Sequence, residues 1–326
     1  MNSHNRRTVY LHVGHGKTGS SFLQSALALS ADRLAQGHIL YPDLTNSFAA
    51  AKAGRITSGN IHVDKSPLIE FIRQADKNNP GDLPLLFSNE MTFGYMLRPE
   101  SPERLKKIIE EGYELKVLCF TRNPLDHAVS LYQQTVKRSG NTKELADFLQ
   151  VYRVPGEVLR FIKMLNELGV ETRISNYNNN KKRLLNVLED WLGLEQNFLE
   201  KPERKTVNRS VTNGELMLQL EFNRHLGKRS SSLISDPLCN QLPDIKSEYP
   251  AIYREELAPF IERMKQAVAP VNALLPPEEA YVVPSIDEAI QKFGNPDDPQ
   301  LMSFSRQQLE VIARKLSKFI ISLEKE

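Results

Sequence analysis

Cysteine is scarce in this chain: two, Cys119 and Cys239, among 326 residues. Two thiols can build neither a framework of disulfides nor a four-sulfur zinc site. Cys119 lies in the apolar run Lys116-Val117-Leu118-Cys119-Phe120-Thr121, where a buried free thiol is expected. That suits a reducing compartment. Long apolar runs are missing too. No segment reaches the length of a membrane span or of a signal's apolar stretch, so a cytoplasmic location is the default expectation. The chain also lacks charge of one sign, with 42 Lys and Arg against 40 Asp and Glu. No overall field favours nucleic acid, and no aromatic-basic cluster marks a nucleic-acid binder. No His/Cys/Asp cluster has metal-ligand spacing, so no metal is expected. Repeats and low-complexity tracts are absent as well.

What is present is an ordinary globular composition, 40% apolar and 25% charged. The length fits one large domain, or a core with an accessory part. Residues 8–13 form a short β-branched run bounded by glycine, which predicts a buried strand. A Gly/Ser/Thr loop follows at 14–21, then a helical stripe over 22–34. Further strands are predicted at 38–41, 83–88, 115–121 and 170–175. Helices are predicted at 101–111, where Ser-Pro is a start signal, and at 124–138, 155–168 and 181–192. This alternation predicts an α/β fold with helices on both faces of a central, mostly parallel sheet. Beyond about residue 200 the strand signals fade. Helices are predicted at 213–226, 252–268 and 306–323, with loop-rich stretches at 227–247 and 294–300. The organisation expected is a core over 1–200 and a helical C-terminal extension of the same domain over 201–326. The last helix carries Leu309, Ile312, Leu316, Phe319, Ile320 and Leu323 on one side, with Arg314, Lys315 and Lys318 elsewhere. It is expected to pack its apolar side on the body and solvate its basic face, rather than to lie on a membrane.

The loop Gly14-His15-Gly16-Lys17-Thr18-Gly19-Ser20-Ser21 joins the first strand to the first helix. Its glycines let backbone N–H groups converge on an anion, and the helix start adds partial positive charge. Ser20 and Ser21 add hydroxyl donors, and Lys17 a full charge. An ATP loop of the Walker type has its lysine after the second glycine and a magnesium-binding hydroxyl next. Here Lys17 precedes Gly19, so the register differs, and no strand reads as one ending in a magnesium-binding aspartate. A second half-site follows the 115–121 strand, where Arg122-Asn123-Pro124 opens a helix. Ser130 lies six residues beyond Pro124, roughly 9 Å along the helix axis. A guanidinium and a hydroxyl so spaced can grip one phosphate from two sides.

Taken together these segments resemble the sulfotransferases that use 3'-phosphoadenosine 5'-phosphosulfate (PAPS), particularly the bacterial and carbohydrate members. The stretch from Tyr10 to Ser21 is similar to their 5'-phosphosulfate loop, and Arg122-Asn123-Pro124 with Ser130-Leu131-Tyr132 to their 3'-phosphate site. Leu40-Tyr41-Pro42 and Asn208-Arg209-Ser210 also resemble family segments. The likeness covers about the first 200 residues; Gly16 departs from it, since bacterial relatives often carry His before the lysine. The resemblance implies a three-layer α/β core like that of P-loop nucleotide hydrolases, PAPS as sulfuryl donor, no metal, and an acceptor hydroxyl, most simply on a carbohydrate or glycolipid. It assigns Gly16, Lys17, Thr18, Gly19, Ser20, Ser21, Arg122 and Ser130 to the donor.

Sulfuryl transfer needs a base for the acceptor proton and positive charge for the leaving oxygen. Glu90, just after the 83–88 strand, is the candidate base, and Lys17 the charge. Histidine is the rival base: His15 lies in the loop and could touch phosphate, His12 is expected to be packing, and His127 is as readily a solvated side chain. Asn208 and Ser210 either close over the nucleotide or form an ordinary helix start, and Arg204, Lys205 and Arg209 make the segment locally basic, which suits an anionic cofactor or acceptor but is more commonly a solvated charge run. Two alternatives stay open: a kinase of the P-loop type acting on a small hydroxyl substrate, and a nucleotide-binding module without turnover.

Overall fold

The computed structural model describes residues 7–55, 57–79, 81–203, 209–250, 252–293 and 303–323. Its strands and longer helices run in this order: β1 (Arg7–Val13), α1 (Ser20–Leu29), α2 (Leu68–Lys77), β2 (Leu85–Asn89), α3 (Ser101–Glu110), β3 (Tyr113–Thr121), α4 (Pro124–Ser139), α5 (Val154–Glu167), β4 (Glu171–Asn176), α6 (Leu184–Trp191), α7 (Asn213–Leu226), α8 (Ser235–Gln241), α9 (Arg254–Asn272) and α10 (Arg306–Leu323). The protein is α/β, as the alternation predicts.

Two compact units share the chain. The first takes Met1–Asn123, Val154–Arg204 and Ala267–Tyr281; the second takes Pro124–Arg153, Lys205–Gln266 and Val282–Glu326. The first unit holds one four-stranded sheet, ordered β2-β1-β3-β4, with every pairing parallel. Parallel strands are covered on both faces, which explains runs of apolar residues without alternation. On one face Tyr10, Leu86, Leu118 and Phe120 pack with Leu23 and Leu27 of α1 and with Leu184, Leu188 and Trp191 of α6. Residues of the other parity, Val9, Leu11, Phe87, Val117 and Cys119, are also buried, and α2, α3 and α5 pack on β2, β3 and β4. Both cysteines are buried free thiols. From β1 the chain moves to one side for β2 and then to the other for β3. The sheet's topological switch point therefore lies at the carboxyl ends of β1 and β3, where ligands of open parallel sheets bind.

Two differences from the sequence reading belong to this unit. The 22–34 helix breaks at Ser30, whose buried Oγ accepts the Glu200 N–H at 2.7 Å, and a short helix (Ala31–Ala35) resumes beyond it. The 38–41 strand reduces to a single parallel bridge between Leu40 and Leu85, after which Tyr41 is buried against Phe48.

Among the described residues every element of the second unit is helical. At its centre Arg209 and Glu215 form a bidentate ion pair, both contacts 2.6 Å, with side chains 3% and 0% exposed. Glu215 also completes a capping box with Thr212 at the start of α7, and accepts a bond from Gln308 of α10 at 2.7 Å. Arg209 donates further to the Leu242 carbonyl at 2.7 Å. The expectation of a solvated arginine is thus wrong here, because a carboxylate six residues on meets it inside the unit. The 227–247 stretch is likewise no open loop. It holds a 3-10 turn (Gly227–Ser232) and α8, because Leu233, Ile234 and Leu238 have Val311 and Ile312 of α10 to pack on. The 294–300 stretch lies outside the described residues. Helix α10 differs most: it buries Gln308 and Val311 and leaves Leu309, Phe319, Ile320 and Leu323 exposed.

Candidate functional site

The loop after β1 starts on a close contact. The Gly14 N–H donates to the Asn89 carbonyl at 3.1 Å, and a Cβ on Gly14 would stand 2.5 Å from the Glu90 Cα. No other residue fits while Glu90 keeps its place. The loop then takes Gly16, Lys17 and Gly19 through φ values of 75°, 54° and 90°. A lysine in the left-handed region is uncommon, and such backbone gathers at ligand sites. Gly19 has a second constraint, since a Cβ there would meet Leu184 at 2.8 Å and Tyr177 at 3.2 Å. It also brings no side-chain cap to α1. The first N–H groups of that helix therefore face the loop with no carbonyl of their own helix to bond. Thr18 Oγ1 and Ser20 Oγ are buried beside them without a hydrogen-bond partner. Leaving such a hydroxyl unsatisfied costs about 1–3 kcal/mol, which an anion in the loop would recover. Ser21, next in α1, is half-buried.

Glu90 follows β2 in a pinned turn. Its N–H donates to Ser58 at 3.2 Å, while Asn89 donates to Ile61 at 2.5 Å and accepts from the Met91 N–H at 2.6 Å. Burial pushes the Glu90 carboxyl above its ordinary range, and the Lys17 ammonium pulls it partly back. The two groups thus feel each other's charge. Arg122, at the end of β3, donates from Nη1 to the Lys17 carbonyl at 3.0 Å. Its guanidinium lies 5.5 Å from the Tyr177 ring centre, and its Nε is buried without a partner. The structure therefore brings Lys17, Glu90 and Arg122 to one sheet edge, around the loop at the switch point.

The remaining candidates stand elsewhere. Ser130 is half-buried on α4 in the second unit, and Ser210 is half-buried ahead of α7. Asn208, Arg204 and Lys205 lie outside the described residues. His12 is packing: it is buried, shares a 2.8 Å hydrogen bond with Ser88 Oγ, and burial drives it down to about 4. His15 is buried edge-on to Phe93 and also held near 4 by burial. His127 is no solvated side chain; it is buried and bonded to the Tyr152 hydroxyl at 2.9 Å. Among the described residues no group of His, Cys, Asp and Glu is placed to hold a metal ion, and no helix is long and apolar enough to cross a membrane.

Sequence reasoning passed over Asn176 and Tyr177. Asn176 donates to Asn123 at 2.9 Å and Asn178 accepts the Asn123 N–H at 3.0 Å, so the end of β4 fixes the residue beside Arg122. The signal was available: Asn176-Tyr177-Asn178-Asn179-Asn180 is a polar run directly after a strand, on the edge where ligands bind.

No known family pattern matches the chain, and no curated protein matches it by sequence. Solved structures give likenesses. One is a sulfotransferase domain from the curacin biosynthetic pathway, 17% identical, with a TM-score of 0.36, over 79% of this chain and 98% of that one.

Proposed function

We propose that this protein transfers the sulfuryl group of PAPS to an acceptor hydroxyl by in-line displacement without a metal. The observation that carries the reading is a set of buried donors around one loop: Thr18 Oγ1, Ser20 Oγ and Arg122 Nε, none with a partner in the protein. Donors gathered on Lys17 at a switch point suit a phosphosulfate, and they fit the motif resemblance. The register argues for sulfuryl rather than magnesium-dependent phosphoryl transfer. Lys17 precedes Gly19, and β2, β3 and β4 end in Asn89, Thr121 and Asn176, not in an aspartate.

In this reading Gly16, Lys17, Thr18, Gly19, Ser20 and Ser21 hold the 5'-phosphosulfate. Arg122 and Ser130 recognise the 3'-phosphate, with Asn208 and Ser210 near the nucleotide. The acceptor oxygen attacks sulfur, its proton passes to Glu90, and the bond from sulfur to the bridging phosphate oxygen breaks. Lys17 stabilises the charge on that leaving oxygen. Glu90 is the better base of the two candidates: burial raises its proton affinity, whereas burial leaves His15 near 4 and a weak acceptor of protons. The acceptor is read as a sugar hydroxyl on a glycan or glycolipid, on the motif resemblance alone.

The first test is calorimetry with 3'-phosphoadenosine 5'-phosphate, without metal, beside 5'-AMP, ADP and ATP with magnesium. Selective binding of the 3',5'-bisphosphate is expected, weakened roughly 10- to 100-fold in Arg122→Ala by loss of charged hydrogen bonds. Tighter binding of ATP with magnesium would overturn the reading and favour a kinase. A second result tests the contact beneath Glu90. Gly14→Ala is expected to lower kcat ~100-fold, because a displacement near 1 Å at a reacting group has that effect. Its affinity for the bisphosphate should change far less; an unaltered kcat would remove Glu90 from the reacting centre.

A further inference from the structure

Asn176, at the end of β4, is buried, and its hydrogen-bonding groups are engaged within the first unit. Its N–H donates to Glu279 Oε2 at 2.5 Å. Its side-chain amide donates to Asn123 Oδ1 at 2.9 Å and to the Ala280 carbonyl at 2.8 Å. Its Oδ1 accepts the Asn178 N–H at 3.0 Å, and its carbonyl accepts from Asn180 Nδ2 at 3.0 Å. Glu279 closes a 3-10 turn (Pro277–Glu279) and arrives from 103 residues further along the chain. Its carboxylate also accepts from Ser175 Oγ at 3.0 Å and from Asn180 Nδ2 at 2.9 Å. A charged acceptor makes such bonds roughly twice as strong as a neutral one. The turn is anchored in its own right. Asn272, the last residue of α9, donates from Nδ2 to the Tyr281 carbonyl at 3.0 Å and accepts the Tyr281 N–H at 2.8 Å.

This network ends on the residue that follows Arg122. Asn123 accepts from Asn176 on its side chain, and its N–H donates to Asn178 Oδ1 at 3.0 Å. The chain is thus pinned just beyond Arg122, while Arg122 Nη1 is tied to the Lys17 carbonyl at 3.0 Å. The guanidinium keeps a buried Nε without a partner. A group that grips an anion must be held to within about 0.5 Å, which requires supporting bonds behind it. We propose that Glu279 is a positioning residue for Arg122. Through Asn176 and Asn123 it fixes the strand end from which the guanidinium reaches its anion. The inference rests on the reading of Arg122 as a ligand of the 3'-phosphate. A clamp that served stability alone would weaken all nucleotides alike, or none. A positioning role weakens those that carry a 3'-phosphate, because the 5'-phosphate is held by the loop after β1.

The test is calorimetry of the full chain, without metal, with 3'-phosphoadenosine 5'-phosphate and with 5'-AMP. Glu279→Ala is expected to weaken the bisphosphate on the order of tenfold and 5'-AMP by no more than about twofold. Glu279→Gln fills the same space and so preserves folding, checked by the thermal transition. It turns one acceptor oxygen into a donor among donors, and should cost the bisphosphate roughly threefold or more. Asn123→Ala should match Glu279→Ala, and the double variant should exceed neither, since both cut one chain of bonds. A parent with no preference for the bisphosphate overturns the reading of Arg122 and this inference with it. If the parent has the preference and Arg122→Ala loses it, three results overturn the inference alone. These are unaltered selectivity in both Glu279 variants, equal weakening of both nucleotides, and additive losses in the double variant.

Discussion

Glu90→Gln is expected to lower kcat by about 10²- to 10⁴-fold, the usual contribution of a positioned general base, while leaving the affinity for 3'-phosphoadenosine 5'-phosphate nearly unchanged. The substitution keeps the shape of the side chain and its pinned turn, and removes the ability to take a proton. The pH profile gives an independent reading. The base must be ionised to act, so the acid limb of kcat/KM should follow the Glu90 carboxyl. Burial lifts that carboxyl above the ordinary value of about 4.3, against the pull of Lys17. The limb is therefore expected above the common carboxylate range and absent in the variant. The sign for stability runs the other way. A carboxyl raised on folding contributes fully below its unfolded pKa and loses that contribution as pH rises through the folded value. Glu90→Gln should then be no less stable than the parent near neutral pH, and a fall in activity cannot be ascribed to unfolding. Near-normal turnover in the variant would sink the assignment and return attention to His15.

The largest effect on stability is expected at Arg209. Arg209→Ala leaves the Glu215 carboxylate, fully buried, without its bidentate partner. Removing one member of a buried pair typically costs about 3–5 kcal/mol, most of it the penalty of an uncompensated charge. Burial opposes ionisation of Glu215, but its bonds from Arg209, Gln308 and the Thr212 N–H prevail and hold the carboxyl below its usual range. That contribution is present above the unfolded pKa and is lost as pH falls through the folded value. Urea unfolding followed by circular dichroism should show the drop, with the transition of the second unit moving to lower denaturant. The double variant Arg209→Met, Glu215→Leu should recover part of the loss, because no lone charge remains inside. A single variant within about 0.5 kcal/mol of the parent, the range of ordinary surface changes, would show that water reaches Glu215.

The parallel sheet, the glycine loop and the strand ends were legible because their signals are local. A β-branched run before Gly14, glycines that permit positive φ, and Pro124 at a helix start act on the backbone within a few residues. Lys17 lies in the loop after β1, and Glu90 and Arg122 follow β2 and β3 directly, so parallel strands carry all three to one edge. Local signals end there. Whether Arg209 is solvated or buried depends on Glu215 and Gln308, and no spacing in the sequence announces a closed ion pair. Likewise, α1 stops at Leu29, and the Ser30 hydroxyl at that break accepts the Glu200 N–H from 170 residues away. The apolar periodicity of α10 was plain, yet periodicity gives a stripe and not its partner. Which side of a helix is buried is decided by what lies across from it, and here Leu233, Ile234 and Leu238 engage Val311 and Ile312 while Leu309, Phe319, Ile320 and Leu323 stay exposed. The sequence by itself determined the fold class and the edge on which the candidate site lies, through steric demands of short backbone segments. Only the tertiary structure decided which charges, hydroxyls and apolar faces find partners, because burial and pairing are properties of residues distant in the chain.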